Sequence, residues 1–114
     1  MNAKISESVS NYLSTSPISH FIGGDWQPSA DGQAWNVINP ADGSVLATTS
    51  LGGAREINSA VEAAHKAFPG WAATPPNERS ALLHRFAERA EKESATLAQI
   101  ESLDVGKAIS LAQD

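Results

Sequence analysis

The 114-residue chain contains no cysteine. This absence excludes disulfide bonds, thiolate metal ligands and a thiol nucleophile from the chain itself. Basic residues are also scarce, with 8 Lys and Arg against 13 Asp and Glu, which gives a formal net charge of -5 at pH 7. Because such a chain repels phosphates and anionic headgroups, neither nucleic acid nor a membrane is an expected partner.

Long hydrophobic runs are missing as well. No apolar stretch approaches the roughly 20 residues that span a bilayer. Residues 1–19 lack the continuous apolar region of a signal peptide, and they contain no arginine and carry Glu7, unlike a mitochondrial presequence. We therefore expect a cytoplasmic protein. We interpret residues 1–19 as a flexible amino-terminal arm in which a short helical turn could form.

Short β-strands are predicted over about residues 20–50. His20–Gln27 indicates a short strand interrupted by a tight turn at Gly23-Gly24. Two further runs of β-forming residues predict a hairpin: Trp35–Ile38, which ends at Asn39-Pro40, and Val45–Thr49, which follows the turn formers of Ala41–Ser44.

Helices are predicted after this point because the apolar period changes from two to about 3.6. Three segments, 54–68, 76–104 and 108–114, have this spacing. Pro69-Gly70 is expected to end the first, Thr74 to cap the second with its hydroxyl, and Gly106 to end the second in a left-handed conformation. A break near Ser94 is an open alternative, since charged residues crowd the sequence before it.

Five motifs in order carry a resemblance to a known family. They are His20–Trp26 (HFIGGDW), Val37–Gly43 (VINPADG), Ala67–Ala72 (AFPGWA), Glu78-Arg79 and Glu101–Lys107 (ESLDVGK). Together they resemble the amino-terminal segment of the NAD(P)-dependent aldehyde dehydrogenase family. The resemblance covers residues 20–114 and implies an α/β fold, the amino-terminal portion of a Rossmann-like domain in which short β-strands are followed by two or three α-helices.

The resemblance implies an oxidoreductase that oxidises an aldehyde to a carboxylic acid with NAD or NADP. In the family a cysteine thiolate attacks the aldehyde, hydride passes to the nicotinamide and a glutamate assists hydrolysis of the thioester. The cysteine, the glutamate and the main nucleotide contacts lie beyond the length of this chain, so no catalytic or cofactor-binding residue carries over. We therefore expect the chain alone to be inactive.

One family site maps onto this chain, a monovalent cation site found in many members. Its matching positions are the backbone carbonyls of Val37 and Ile38 and the carboxylate of Asp104, and its ion would be K+ or Na+. A carboxylate near the carboxyl end of a helix is unfavourable unless a cation offsets it, which supports Asp104. The alternative is that Asp104 caps the helix end or pairs with Lys107. Because further ligands would come from other parts of the family fold, we expect weak or no ion binding by this chain alone.

Two functions remain open from the sequence. The first is a segment of a dehydrogenase whose partners are the remainder of the aldehyde dehydrogenase fold and, in the full-length family, further copies of the subunit in a homo-oligomer. The second is a free-standing, non-catalytic interaction module that packs on full-length subunits or on another protein. The three histidines of the chain are not spaced as metal ligands, and its glycine pairs do not form a dinucleotide fingerprint.

Overall fold

A mixed set of short strands and longer helices makes up the protein. The computed structural model describes residues 5–113. The elements in chain order are α1 (Glu7–Ser14), β1 (His20–Ile22), β2 (Asp25–Gln27), β3 (Ala34–Ile38), β4 (Val45–Ser50), α2 (Ala54–Ala73), α3 (Pro76–Lys92), α4 (Ser94–Val105) and α5 (Ile109–Ala112). The predicted α/β class, with strands followed by helices, is confirmed.

The strands form two separate antiparallel hairpins. Strands β1 and β2 pair across the tight turn at Gly23-Gly24, where both glycines have positive φ. Strands β3 and β4 form the hairpin that the sequence predicted, and the register shifts between Val37 and Ile38 so that Leu46 has no partner across the ladder. The bulged residue is on β4, opposite Val37 and Ile38, the two β3 residues predicted to bind a cation.

Helix α1, with 8 residues, lies within the segment 1–19 that the sequence predicted to be a flexible arm. Ser6 caps it, and the amide N–H of Ser6 donates a hydrogen bond of 3.0 Å to Oε1 of Gln99. Val9 is completely buried. After the helix, Ile18 forms a parallel bridge to Thr49 of β4. The described part of residues 1–19 is therefore docked on α4 and β4, whereas residues 1–4 lie outside the described residues.

Helix α2 runs past the proline that was expected to end it. It continues through Pro69 to Ala73, so the predicted end at residue 68 is wrong. A proline inside a helix removes one hydrogen bond and costs about 3 kcal/mol, but its φ is compatible with the helix, and alanines on both sides favour continuation. The helix ends instead where Pro75 forces Thr74 into an extended conformation, at φ -67° and ψ 129°.

The start of α3 is predicted correctly in position but not in its cap. Pro76 is the first helical residue, as expected for a ring that needs no amide hydrogen bond. The hydroxyl of Thr74 does not cap this helix, because it donates to the carbonyl oxygen of Gly70 at 2.8 Å. Thr74 therefore closes α2 rather than opening α3.

The predicted helix over 76–104 is two helices in the structure. Its backbone leaves helical geometry at Glu93, at φ -98° and ψ 7°, so α4 begins at Ser94. The break predicted as an alternative near Ser94 is confirmed. Gly106 ends α4 with φ 72°, as expected for a left-handed cap. Over the predicted helix 108–114, α5 is a four-residue helix, and residue 114 lies outside the described residues.

The core of the described chain is small. The only buried hydrophobic residues among residues 5–113 are Val9, Ala47 and Ala98. The radius of gyration is 17.2 Å, whereas a compact domain of this length has about 13 Å. None of the helices within the described range has the length and hydropathy needed to cross a membrane. The chain is thus extended, with much apolar surface outside its core.

Candidate cation site at the ends of strand β3 and helix α4

The end of helix α4 lies against the loop that follows β3. A Cβ atom added at Gly106 would stand 3.1 Å from Cγ of Pro40, which is closer than most side-chain contacts allow. Glycine at this position therefore permits both the positive φ and the close approach. Through this contact the fold brings Asp104, near the end of α4, to the same region as Val37 of β3.

Val37 and Asp104 line one cavity of about 210 Å³ between α1, the β3–β4 hairpin and α4. Ile38 is not among the lining residues, and the residue is 48 % exposed. The structure thus brings together two of the three residues that the sequence assigned to the cation site. The remaining wall is mostly hydrocarbon from α1, β4 and α4.

The Asp104 carboxylate does not pair with Lys107, so the ion pair that was one form of the alternative interpretation is wrong. Nζ of Lys107 lies 3.1 Å from Oε1 of Glu101, and the Lys107 carbonyl oxygen accepts a hydrogen bond of 2.7 Å from the Ser102 hydroxyl. Among the residues that the structure describes, no side-chain hydrogen bond or ion pair involves Asp104. A negative charge at the carboxyl end of α4 therefore stands without a described counterion.

The cavity lining does not by itself complete the ligand shell of a metal ion. Hard cations bind several oxygens at once, whereas the lining offers side-chain oxygens only from Tyr12, Thr49 and Asp104. The hydroxyl of Thr49 already donates to the Ile18 carbonyl at 3.3 Å. Within residues 5–113 no group of three or more His, Asp or Glu side chains could hold a metal. The cation assignment to Val37, Ile38 and Asp104 stays a prediction.

The sequence interpretation missed the contribution of α1 to this cavity. Tyr12 and Leu13 of the predicted arm line it, together with Ile18. A signal was present, since Ser6 is a favourable N-cap and Val9, Tyr12 and Leu13 follow at helical spacing. The signal was weak because these residues are few and because α1 docks on residues of α4 that are distant in the sequence.

A second polar cluster joins the start of α2 to the loop after β2. The Glu56 carboxylate accepts hydrogen bonds from the amide N–H groups of Ala30 at 2.9 Å and Gly53 at 2.8 Å. Both bonds lower the pKa of Glu56 below its ordinary value, and the bond from Ala30 has the larger effect. They stabilise the charged form because an ionised carboxylate is the better acceptor.

The proton positions beside this cluster follow from its hydrogen bonds. The buried Ser29 hydroxyl donates to the Leu51 carbonyl oxygen and lies 3.3 Å from Nε2 of His20. Because a hydroxyl has one proton to donate, Ser29 accepts from His20, and Nε2 of His20 carries a proton. All these contacts connect β1, the loop and α2, so we interpret the cluster as structural.

The Glu56 contacts predict a pH dependence of stability. The pKa of Glu56 is lower in the folded chain than its ordinary value of 4.5. The charged carboxylate therefore contributes fully to the free energy of unfolding above pH 4.5, and this contribution is lost as the pH falls through the folded pKa. We expect Glu56→Gln to lower the free energy of unfolding at neutral pH, with a difference from the parent chain that shrinks at about pH 3. Urea unfolding at the two pH values measures this.

The matched control for this prediction is Glu62→Gln, which removes the same charge from an exposed position on α2. The Ser44 hydroxyl is the main cause of a lowered pKa at Asp42. Asp42 therefore also makes stability fall at low pH, but it does so equally in the parent chain and in each variant, so its effect cancels when their free energies of unfolding are subtracted. A stability gap for Glu56→Gln that is equally large at both pH values would contradict the prediction.

These elements define a mixed α/β protein with two small hairpins, whose two longest helices, α2 and α3, bury none of their residues. The family model described as the aldehyde dehydrogenase family matches residues 26–114, which is most of the chain. The chain belongs to the aldehyde dehydrogenase family.

Similar proteins support this assignment and show how much of a family member the chain represents. It is 39 % identical over 90 residues to aldehyde dehydrogenase B of Escherichia coli strain K12, covering 79 % of this chain and 18 % of that protein. It is 42 % identical over 96 residues to 2-aminomuconic semialdehyde dehydrogenase of Bos taurus, covering 84 % and 19 %.

A solved structure agrees with the sequence matches. The NAD+ complex of aldehyde dehydrogenase from Bacillus cereus matches the whole chain with a TM-score of 0.94 and 33 % identity, and 23 % of that chain is covered. The chain thus spans about a fifth of the length of the curated relatives it matches.

Proposed function

We propose that the chain is the amino-terminal segment of an NAD(P)-dependent aldehyde dehydrogenase, which oxidises an aldehyde to a carboxylic acid, and that the segment is inactive alone. The reaction needs a thiolate, because a soft, ionised nucleophile adds readily to an aldehyde carbonyl at neutral pH. This chain has no cysteine. The nucleophile, the base and the site for NAD or NADP would then belong to the remainder of the fold.

The observation that carries the proposal is the exposure of the apolar faces of α2 and α3. Along α2, Ile57, Val61 and Phe68 are each more than half exposed, and on α3 so are Leu83 and Phe86. Burial of a large apolar side chain contributes about 1.5–3 kcal/mol, so a face of this kind is stabilised by a covering layer. We propose that the rest of the dehydrogenase fold supplies that layer.

The partners follow from the same proposal. The nearest partner is the remainder of the aldehyde dehydrogenase fold, and the complete enzyme would be a homo-oligomer. A monovalent cation at Val37, Ile38 and Asp104 would need further oxygen ligands from that remainder. The cytoplasmic location stays a prediction.

A direct experiment compares two products of the encoding frame. The purified 114-residue chain, mixed with NAD or NADP and a panel of aldehydes, is expected to form no reduced cofactor above the buffer rate. A product translated past Asp114, if the frame continues to a cysteine, is expected to form it. Reduced nicotinamide formed by the short chain itself would contradict the absence of catalytic machinery.

The alternative function is a free-standing module that uses the same exposed helix faces to pack on full-length subunits or on another protein. The same apolar residues of α2 and α3 support it. A reading frame that stops at Asp114 and yields a folded, non-aggregating product would favour this module over the enzyme segment.

A further inference from the structure

The outer edge of strand β3 has no partner strand among the residues that the structure describes. The opposite edge of the hairpin, on β4, is covered by Ile18. The N–H of Ile18 donates to the Thr48 carbonyl at 2.8 Å, and its carbonyl accepts from the Ser50 N–H at 2.8 Å. Strand β3 pairs with β4 and, within the described range, with no other strand. The hairpin is therefore open along β3.

The hydrogen bonds of the hairpin decide which backbone groups point out of this edge. The Gln33 carbonyl accepts a bond of 2.9 Å from the Leu51 N–H, so residue 33 directs its backbone toward β4. In an antiparallel ladder this direction alternates from one residue to the next. Trp35 therefore also bonds toward β4, whereas Ala34 and Asn36 direct their N–H and carbonyl groups away from it.

The open edge lacks the residues that commonly prevent strand pairing. Proteins protect such edges with charged side chains, above all lysine, and with proline. Residues 33–39 contain neither a charged residue nor a proline. Trp35, at the middle of β3, is 64 % exposed. An uncharged edge with an exposed aromatic side chain is a template for a further strand.

The edge of β3 is complementary to itself. When two copies lie antiparallel with Ala34 opposite Asn36, the outward N–H and carbonyl groups of each copy meet those of the other. Trp35 then lies opposite Trp35 of the second copy at a non-hydrogen-bonded position, where an aromatic pair is stabilising. In this register Asp31, the acidic residue nearest to β3, lies opposite Asn39. No carboxylates meet, although the chain has a net charge of -5.

We propose that the open edge of β3 binds the same edge of a second copy of the chain, in a symmetric antiparallel pair centred on Trp35. One strand edge and one tryptophan pair bury less than the roughly 1,200 Å² of a stable interface, so we expect a weak, rapidly exchanging dimer. The proposal goes beyond the dehydrogenase function and does not depend on it. Its test uses neither an aldehyde nor a nicotinamide cofactor, so the two proposals fail separately.

The first test is sedimentation velocity of the 114-residue chain over a range of concentrations up to the millimolar level. We expect Ala34→Pro to weaken the dimer roughly tenfold or more, because it removes an outward N–H donor from each copy. Proline is tolerated on an edge strand when its nitrogen faces away from the neighbouring strand, so the hairpin is expected to keep its stability in dilute urea unfolding. The control Ala34→Thr retains the N–H group and is expected to change the dimer by less than about twofold.

The second test uses the fact that only position 35 faces itself in the proposed register. Trp35→Lys and Trp35→Glu are each expected to be monomeric, because like charges lie directly opposite each other. A mixture of the two variants is expected to associate roughly fivefold or more tightly than either variant by itself. Because Trp35 is exposed, this pair of variants tests the proposal even if Ala34→Pro unfolds the hairpin.

Three outcomes would overturn the proposal. One is a parent chain that stays monomeric at the highest concentration. Another is equal association of folded Ala34→Pro and Ala34→Thr, which would place the contact on another surface, such as the apolar faces of α2 and α3. The third is a mixture of Trp35→Lys and Trp35→Glu that associates no more tightly than the separate variants.

Discussion

Replacing Phe86 with alanine is expected to change the stability of the 114-residue chain by less than about 0.5 kcal/mol, as at other exposed positions. Phe86 is 73 % exposed, and Leu82 and Leu83 on the same face of α3 are 45 % and 61 % exposed. In a longer protein that contains the remainder of the fold, the same substitution is expected to cost about 3–5 kcal/mol, as for a buried phenylalanine. The contrast follows from the proposed function, in which that remainder covers this face.

Urea unfolding of the two chain lengths measures the contrast. Glu88→Ala is the matched control, because residues two positions apart on a helix point in nearly opposite directions, and Glu88 is exposed. The control is expected to be nearly neutral in both lengths. An effect of Phe86→Ala that is equally small in the longer protein would argue against α3 as a covered helix of a larger domain.

The sequence predicted correctly those helix ends that depend on a single glycine or proline. Gly106 ends α4 because its backbone adopts a positive φ, and Pro76 starts α3 because its ring needs no amide partner. The β3–β4 hairpin followed from β-forming residues on both sides of turn formers. Pro69 was misinterpreted because a proline weakens a helix without always ending it.

The candidate site was less predictable because its members are distant in the sequence. No local pattern connects Val37 to Asp104, and only the family resemblance placed them together. The structure puts both on one cavity but leaves Ile38 outside its lining. The contribution of α1 was missed for a related reason, since its docking rests on Val9 and on hydrogen bonds to residues of α4, from Ser6 to Gln99 and between Ser8 and Thr96. Helix propensity alone does not predict a stable helix of eight residues.

Replacing Val9 with aspartate is expected to release α1 from the rest of the chain. Val9 has no exposed surface, and burying an unpaired carboxylate in its place would cost more than about 3 kcal/mol. Undocking of the helix is then the lower-energy outcome. Val9→Ala, which removes two methyl groups, is expected to cost about 2 kcal/mol and to leave the helix docked.

Amide hydrogen exchange over residues 7–14 measures the docking of α1, because protection falls about tenfold for each 1.4 kcal/mol of docking free energy lost. The control Ser10→Asp adds the same charge at an exposed position of α1 and is expected to retain protection. Equal protection in Val9→Asp and Ser10→Asp would contradict a helix held by Val9.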